Sequence, residues 1–538
     1  MKKFHLVCLA LVLSLSASEA AVRLPSFFGD GMILQRDEPI KVWGWADSGE
    51  EVTVSWNNEN CSTTANVNGH WEVTLSPTKA GGPYTMAIGD ILIKDILVGD
   101  VFLCSGQSNM ELPVARVMDM FSEEVLSYEN TQIRQIQIPQ TFNFNNPQED
   151  TPSASWKSLT QDNVMSFSAL AYFYAKEMNA ATGVPVGIVN ASWGGTPIEA
   201  WTSEEVLKEK FPQFINEKRI YEDAGYRDRI KKLEGENFYR WNTALDQGDP
   251  GLNGPLPWYS PKINDKDWEE VEMFSNSWGN DGLNPAGGSH WLRKDVKIPV
   301  EWEGKEAIIR MGCIVDADSV YVNGHFVGNT TYQYPPRIYR IPAGVLKRGK
   351  NNVTVRVISN GGQPSFVPEK PYKIICGKDE ISLEGTWKYH LGAQMPPAPS
   401  MMFFFYKPVC LYNSMIHPLR NMKFAGVLWY QGESNVTGRN IYADQLVTMM
   451  EDWRKTFADK DLIFYIVELA DFLHESDAEG RRAWAELRKQ QAEAVRKDGR
   501  SRLIRNSDLG EWNDIHPLDK KTLGQRAAEA TLKDLKNN

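Results

Sequence analysis

A serine that follows a short apolar run is the first group in this chain that suggests chemistry. Residues 101–104 (VFLC) have the length and composition of a buried strand, and small and polar residues follow at 105–110 (SGQSNM). This pattern predicts a tight turn that holds the Ser108 hydroxyl clear of the sheet. A helix starting after the turn would direct its positive end towards an anion formed there. Acyl transfer needs this arrangement, because the nucleophile and one oxyanion donor then come from one residue.

Three further stretches combine apolar or small residues with polar turn residues. Residues 190–197 have the sequence NASWGGTP, residues 427–435 have VLWYQGESN, and residues 514–517 have DIHP. Taken in order with the Ser108 turn, these blocks resemble those of the SGNH (GDSL-like) hydrolases, and most closely the sialate O-acetylesterase branch. Relatives of that branch include acetylxylan esterases. The resemblance extends from residue 99 to the C-terminus, apart from a long insertion.

A base must lie within hydrogen-bonding reach of the serine, since a hydroxyl at its normal pKa is a poor nucleophile. Of the eight histidines, only His516 follows a strand-to-loop pattern at the end of the predicted α/β unit. Its match to the last block of the family implies that His516 is the general base. It would take the Ser108 proton and later return one to the leaving sugar hydroxyl.

A third group is expected to orient the histidine and support its positive charge. Many SGNH enzymes place an aspartate three residues before the histidine, but this chain has Asn513 there and Asp514 two residues before. Asp514 is the first choice because a loop can fold it back onto the ring. Glu433 and Glu511 are alternatives, and so is a serine–histidine dyad completed by a backbone carbonyl.

The resemblance also implies the donors that would stabilise an oxyanion. They are the backbone N–H of Ser108, a backbone N–H in the Gly194-Gly195 turn and a polar side chain of the third block. Gln431 and Asn435 are both candidates for that side chain, and Gln431 is better placed because it stands directly at the strand end.

Other polar residues near these blocks have supporting or substrate-binding roles in this interpretation. Gln107 and Asn109 are expected to hold the nucleophile turn by bonding to nearby backbone, and Asn109 also has the reach to contact a substrate oxygen. Glu433 and Asn435 are further candidates for support or substrate contact. Arg116 is a candidate cation for a substrate carboxylate, with a surface ion pair as the alternative role.

Composition restricts the partners and cofactors. The chain has 538 residues, 42% apolar and 24% charged, with a net charge of −11 and no basic cluster, which argues against nucleic acid binding. The cysteines and histidines lack the spacing of metal ligands, and no nucleotide-type glycine-rich loop follows a strand. We therefore expect no metal, no cofactor and no disulfide framework.

The domain organisation follows from a change of pattern along the chain. Residues 1–20 have the features of a secretory signal peptide, so we expect a periplasmic or extracellular protein with no membrane span. Residues 21–97 predict an N-terminal immunoglobulin-like β-sandwich. Residues 98–240 and 401–538 predict the two parts of a three-layer α/β/α hydrolase domain of the SGNH type. Residues 241–400 predict an inserted β-sandwich that resembles jelly-roll, sugar-binding modules.

The expected function is removal of O-acetyl groups from a carbohydrate by a serine esterase, with sialic acid or a sialoglycan as the first choice of substrate. The same chemistry on acetylated xylan or another hemicellulose is the alternative. A non-catalytic carbohydrate-binding protein is an alternative of another class. An ordinary glycosidase needs a pair of carboxylates flanking the scissile bond, and the sequence indicates no such pair.

Overall fold

A computed structural model describes residues 22–276, 278 and 287–537 of the chain. The expected signal peptide lies outside the described residues. The chain forms a mixed α/β structure with two large sheets. No helix in these ranges is long and apolar enough to cross a membrane.

From residue 22 onwards, where the described part of the chain begins, strands come before any helix. These strands are β1 Ile33–Gln35, β2 Ile40–Trp45, β3 Glu51–Trp56, β4 Glu59–Thr64, β5 His70–Leu75, β6 Gly81–Ile88 and β7 Ile91–Gly106. Strand β7 pairs with β6 and β1 through its first part and enters the central parallel sheet through its second part. A domain boundary at residue 97 therefore falls inside one continuous strand.

The segment that follows alternates helices and strands, as predicted. It comprises α1 Ser108–Glu111, α2 Met118–Leu126, β8 Asn130–Gln137, β9 Trp156–Leu159, α3 Ala169–Thr182, β10 Val186–Ser192, α4 Glu204–Lys210, α5 Pro212–Glu222, α6 Ala224–Gly248 and α7 Pro250–Asn253. The sequence predicts that Gly183 ends a helix, because it follows apolar residues at helical spacing, and Gly183 does end α3 in the left-handed conformation, with φ of 68°. Helix α6 continues past residue 240, where the insertion was expected to begin.

In its described residues the inserted unit consists mainly of strands, with a short 3-10 helix at Val300–Trp302. The strands are β11 Glu269–Glu272, β12 Gly287–Ile298, β13 Ala307–Met311, β14 Ile314–Val315, β15 Ala317–Val322, β16 His325–Thr330, β17 Ile338–Ile341, β18 Gly349–Ser359, β19 Ser365–Phe366, β20 Tyr372–Cys376, β21 Asp379–Ser382 and β22 Thr386–Met395. The Asn323-Gly324 dipeptide predicts a hairpin turn, and the structure confirms it, with both residues between β15 and β16 at positive φ. Its six-stranded and four-stranded sheets share one apolar core, to which both contribute buried residues such as Val355 and Ile309.

The α/β alternation resumes after the insertion. The elements are β23 Gly426–Tyr430, α8 Tyr442–Thr456, β24 Phe464–Val467, α9 Ala478–Asp498, β25 Arg502–Ile504 and α10 Lys520–Asn537. The central sheet has the order β25-β24-β23-β7-β10-β8-β9, in which β9 alone is antiparallel to its neighbour. Its core is continuous with that of the N-terminal strands, whereas the inserted unit has a core of its own.

Gly106, at the end of β7, has no room for a side chain. An ideal Cβ at this position would lie 2.1 Å from the Tyr430 carbonyl oxygen of β23, and its φ is 131°. The clash would be with backbone, which cannot rotate away as a flexible side chain can. Glycine therefore allows β7 and β23 to stay paired just before the chain turns at Ser108.

We predict that Gly106→Ala lowers the free energy of unfolding by roughly 3 kcal/mol or more, since it adds both an unfavourable φ and a backbone clash. Gly183→Ala is the matched control, because Gly183 also has positive φ but nothing lies within 4 Å of its ideal Cβ. The control should cost only about 1 kcal/mol. Urea unfolding measures both, and equal losses would contradict the role given to the strand pairing.

Candidate active site

The register of the central sheet brings polar turns together at one edge. Gly106 of β7 is paired with Ser192 of β10 on one side and with Tyr430 of β23 on the other. These strands run parallel, so the residues that follow them leave the sheet side by side. Ser108 and Gly194 each come two residues after the paired positions, and an ideal Cβ on Gly194 would lie 3.3 Å from the Cβ of Ser108.

Ser108 and His516 line one cavity of about 610 Å³ at this edge. The two residues are more than four hundred positions apart in the chain, so only the fold brings them to a shared space. The other lining residues are Gln107, Glu111, Leu112, Pro113, Arg116, Gly194, Gly195, Tyr332, Tyr334, Phe403, Tyr406, Glu433, Ser434 and Ile515.

The nucleophile turn is held from below by Gln107, which is buried. Its side-chain Oε1 accepts hydrogen bonds from the backbone N–H of Gly432 and of Ser434, both at 3.3 Å, and from Gln431 Nε2 at 3.1 Å. Gln107 thus joins the first block to the third. Ser108 is the first residue of α1, so its backbone N–H has no acceptor within the helix.

Asn109 connects the nucleophile helix to the histidine loop. Its Nδ2 donates to Glu433 Oε1 at 2.7 Å and to the carbonyl oxygen of Ile515 at 2.9 Å, directly before His516. Its Oδ1 accepts from Lys520 Nζ at 2.8 Å. Asn109 is buried, so these bonds fix its amide and keep it from the substrate contact considered above.

Sequence reasoning did not find Lys520, because a lysine at the start of a helix carries no signal by itself. Burial lowers its pKa to about 8, although Glu433 and other carboxylates favour the charged form. Burial also raises the pKa of Glu433, whose Oε2 has no hydrogen-bond partner in the described part of the chain. A buried cluster of polar side chains therefore lies beneath the cavity and consists of Lys520, Asn109 and Glu433.

His516 is buried and neutral at ordinary pH. Burial, with smaller contributions from Lys520 and Arg116, lowers its pKa to about 3. Its ring packs edge-to-face against Tyr334, with the ring centroids 5.4 Å apart. Its Nδ1 has no hydrogen-bond partner among the described residues. The imidazole is thus in the protonation state that a general base requires.

Asp514 is the carboxylate that comes near this ring. Its Oδ1 lies 3.9 Å from His516 Nδ1, too far for a hydrogen bond, and accepts the backbone N–H of His516 at 2.9 Å instead. The two alternatives have other partners. Glu433 accepts from Asn109, and Glu511 accepts from the Leu518 N–H at 2.9 Å and from Lys370 at 2.7 Å.

The predicted oxyanion role of Gln431 needs correction. Its side chain is fully buried and is absent from the cavity wall, and its Nε2 donates to Asn435 Oδ1 at 2.7 Å and to the Thr196 carbonyl at 3.2 Å, besides Gln107. Asn435 is likewise turned inward, where its Nδ2 bonds to Glu199. Both amides hold the turns together and do not face the cavity.

Gly194 also differs from the expectation. Its N–H donates to Glu111 Oε2 at 2.5 Å, so this donor already has a partner. Glu111, which sequence reasoning missed, is three residues after Ser108 on the same short helix, and its Oε1 accepts from Gln140 at 2.9 Å. Gly195 has a φ of 76° and approaches the Tyr406 hydroxyl so closely that an ideal Cβ would lie 1.9 Å from it.

Arg116 lies on the cavity wall, as a substrate-binding cation should. Its Nη2 donates to the Tyr334 carbonyl oxygen at 3.2 Å, and its Nε has no partner in the part of the chain that the structure describes. Exposed aromatic residues complete the rim: Tyr332 is 54% exposed, Phe403 46% and Tyr334 39%. These faces offer stacking surfaces for a sugar ring.

The inserted unit therefore reaches the site through its 331–337 loop. Arg337, fully buried, orders this loop by donating to the carbonyl oxygens of Gln333 at 2.8 Å and Pro335 at 2.7 Å. It is ion-paired with Asp318, also fully buried, at 2.6 Å. An internal cation and its backbone bonds thus position the loop whose two tyrosines line the cavity together with Ser108 and His516.

A metal or disulfide has no visible place in this arrangement. Within residues 22–276, 278 and 287–537, no group of three histidine, cysteine, aspartate or glutamate residues is arranged to hold a metal ion. The cysteines in those ranges are free. Burial raises the pKa of the Cys104 thiol, in the strand before the nucleophile, which makes it a core residue and not a reactive group.

Comparison with known proteins agrees with these blocks. Sialate O-acetylesterases from Rattus norvegicus and Homo sapiens are 29% and 30% identical to this chain over 208 and 210 residues, each match covering 35% of this chain. The matches cover 38% and 40% of those two proteins, so this chain spans about two fifths of their length.

A solved structure is similar over nearly the whole chain. The crystal structure of a carbohydrate acetylesterase from Xanthomonas citri has a TM-score of 0.56 and 25% sequence identity, and covers 96% of this chain and 76% of its own. Residues 98–233 and 400–533, half of the chain, match the family described as carbohydrate esterase, sialic acid-specific acetylesterase. The chain therefore belongs to the sialic acid-specific acetylesterase family of carbohydrate esterases.

Proposed function

We propose that this protein is a serine esterase that removes O-acetyl groups from sialic acid through an acetyl-serine intermediate. The observation that carries the proposal is the shared cavity at the carboxyl edge of the parallel sheet, which is lined by both Ser108 and a neutral, buried His516. Family membership and the acetylesterase relatives support the reaction class. The expected leader at residues 1–20 supports export to the periplasm or the exterior.

In the first step, the Ser108 hydroxyl attacks the acetyl carbonyl carbon while His516 takes its proton. The backbone N–H of Ser108 donates to the oxyanion that forms, since it has no acceptor within α1. The tetrahedral intermediate then collapses, and the C–O bond to the sugar breaks. The proton held by His516 goes to the leaving sugar oxygen, which leaves an acetyl group on Ser108.

The second step repeats this chemistry with water. His516 accepts a proton from water as the water oxygen attacks the acetyl carbonyl, and the bond to Ser108 breaks with return of the proton to its oxygen. Acetic acid leaves and ionises at neutral pH. Asp514, near the imidazole, favours its transient positive charge.

The fold assignment that accompanies this function is of the SGNH type. The parallel strands β25, β24, β23, β7, β10 and β8, with the nucleophile directly after β7, support it. The antiparallel pairing of the inserted strands and their shared core support a jelly-roll sandwich there. The N-terminal strands support a small β-sandwich built onto β7.

A neutral acetylated hemicellulose is the second candidate substrate, and a specific observation favours it. The Glu111 carboxylate lies on the cavity wall beside the nucleophile turn, where it would repel an anionic sugar. Exposed tyrosine and phenylalanine faces at the rim suit a neutral sugar ring as well as a charged one. Substitution of Arg116 would distinguish the two candidate substrates.

We predict that Ser108→Ala lowers kcat for a small aryl acetate by roughly 10⁴-fold to 10⁶-fold, because it removes the attacking oxygen. Ser434→Ala is the matched control, since Ser434 also lines the cavity but bonds to the Gly195 carbonyl. Acetate release at saturating substrate measures both. Undiminished activity of Ser108→Ala would overturn the nucleophile assignment, whereas no acetate release by the unsubstituted protein would favour a non-catalytic binding protein.

The acidic limb of the pH–activity profile should lie at unusually low pH. His516 acts as a base only when neutral, and its pKa is lowered from 6.5 to about 3. We therefore expect kcat/KM for an aryl acetate to be maintained well below pH 6.5 and to fall as pH approaches 3. Tryptophan fluorescence in the same buffers separates protonation from unfolding. A limb centred at or above pH 6.5 would contradict the protonation state given to His516.

Arg116→Met should distinguish the substrates. Loss of a charge-assisted hydrogen bond to a carboxylate, worth about 1.5–3 kcal/mol, should raise KM for O-acetylated sialic acid by roughly 10-fold to 150-fold. KM for acetylated xylan should change much less, because that sugar has no carboxylate at the site. Acetate release from both substrates by both proteins provides the measurement. Equal changes for the two substrates would contradict carboxylate binding by Arg116.

A further inference from the structure

Three consecutive residues of the inserted unit bind the loop that carries the histidine. The Pro368 carbonyl oxygen accepts from Asn513 Nδ2 at 2.7 Å, and Glu369 Oε2 accepts from Trp512 Nε1 at 3.0 Å. Lys370 Nζ donates to both Glu511 and Asp514, at 2.7 Å and 3.2 Å. We call residues 368–370 the clamp. They connect β19 to β20 and are more than 140 positions from their partners.

We propose that Lys370 is a positioning residue for His516, acting through the Asp514 carboxylate, so that the inserted unit takes part in the reaction. This inference rests on the proposed esterase function. It follows from the geometry of one cation between two carboxylates on the histidine loop.

Charge balance explains why a lysine is needed here. Glu511 and Asp514 lie on one turn, closed by the Asp514 N–H donating to the Glu511 carbonyl oxygen at 3.1 Å. Two carboxylates this close repel each other, and the Lys370 ammonium offsets one of the two negative charges. The side chains of Lys370 and Asp514 are 11% and 10% exposed, so solvent screens their interaction only weakly.

The same contacts also fix the position of the Asp514 carboxylate. Asp514 Oδ2 is held by Lys370 while Oδ1 accepts the His516 backbone N–H, which leaves Oδ1 3.9 Å from the ring Nδ1. Lys370 thereby keeps the carboxylate close to the imidazole without letting it bond. Burial lowers the pKa of Lys370, but Asp514 and Glu511 outweigh this and raise it overall, so Lys370 remains charged throughout the useful pH range.

Other charged and titratable groups also face the imidazole. Lys520, at the start of α10, and Arg116, after α1, both disfavour its protonation. Tyr334 of the inserted unit packs against the ring. Glu433, after β23, is linked through Asn109 to the Ile515 carbonyl before His516. Lys370 is distinct from these because it acts on the carboxylate nearest to the ring.

These charges determine the direction in which loss of Lys370 should shift the pKa of His516. Without the Lys370 charge, the Glu511 and Asp514 carboxylates would both be uncompensated, and Asp514, 3.9 Å from the ring Nδ1, would then favour imidazolium more strongly. The acidic limb of kcat/KM for an aryl acetate should then move to higher pH by about one unit or more. A purely structural role for Lys370 would lower activity at every pH without moving the limb.

The test compares the pH profiles of Lys370→Met, Lys370→Arg and the double variant Lys370→Met/Glu511→Gln. We expect an upward shift in the first, little shift in the second and recovery towards the original profile in the third, since it removes one negative charge as well. Lys373→Met is the matched control, because Lys373 in β20 pairs with Glu380 on the surface of the same unit. Its profile should not move.

A second charge-removing variant and a second measurement make the test decisive. If Lys370→Met does not fold, Lys370→Gln takes its place, because it removes the charge and keeps a donor for Asp514. Titration of the His516 ring by NMR in the full-length variants reports the same shift without hydrolysis. A ring shift in a protein without esterase activity would defeat the proposed function and retain only the electrostatic coupling of Lys370 to the His516 ring. An unmoved ring titration in the charge-removing variant would overturn it.

Discussion

The parallel register of three strands is the constraint on which this structure depends. Gly106, Ser192 and Tyr430 stand side by side, so the turns that follow β7, β10 and β23 must leave the sheet at one level. Both β10 and β23 are buried on their two faces, so a one-residue slip would exchange the side chains between the two packed faces, and close packing therefore enforces the register. The relative placement of these turns is thus stabilised by apolar packing within the sheet.

Beneath that edge, buried polar side chains hold the turns to one another. Gln107 binds the third block, and Asn109 binds Glu433, Lys520 and the loop before His516. Each of these amides is buried, and a buried amide left without partners costs free energy, so the turns have few alternative arrangements. This network restrains the turns that carry Ser108 and His516, as proton transfer in the proposed esterase reaction would require.

The inserted unit has its own core yet supplies part of the site. Its 331–337 loop carries tyrosines of the cavity wall, and its clamp binds the histidine loop. The N-terminal strands differ, since they share a core and the strand β7 with the α/β part. One accessory region therefore extends the scaffold, while the other helps to form the cavity.

The local sequence pattern predicts much of the secondary structure and of the turns at the site. The alternation of strands and helices, the ends of α3 and the β15–β16 hairpin, and the turns at Ser108 and Gly194 follow from apolar spacing and turn residues, which act over a few positions. Local pattern misled at Gln431, whose place after a strand suggested an oxyanion donor although its amide points inward. Glu111, Lys520 and Lys370 carried no signal. Their roles depend on which distant groups the fold brings near them, and only tertiary structure decides burial, hydrogen-bond partners and charge balance.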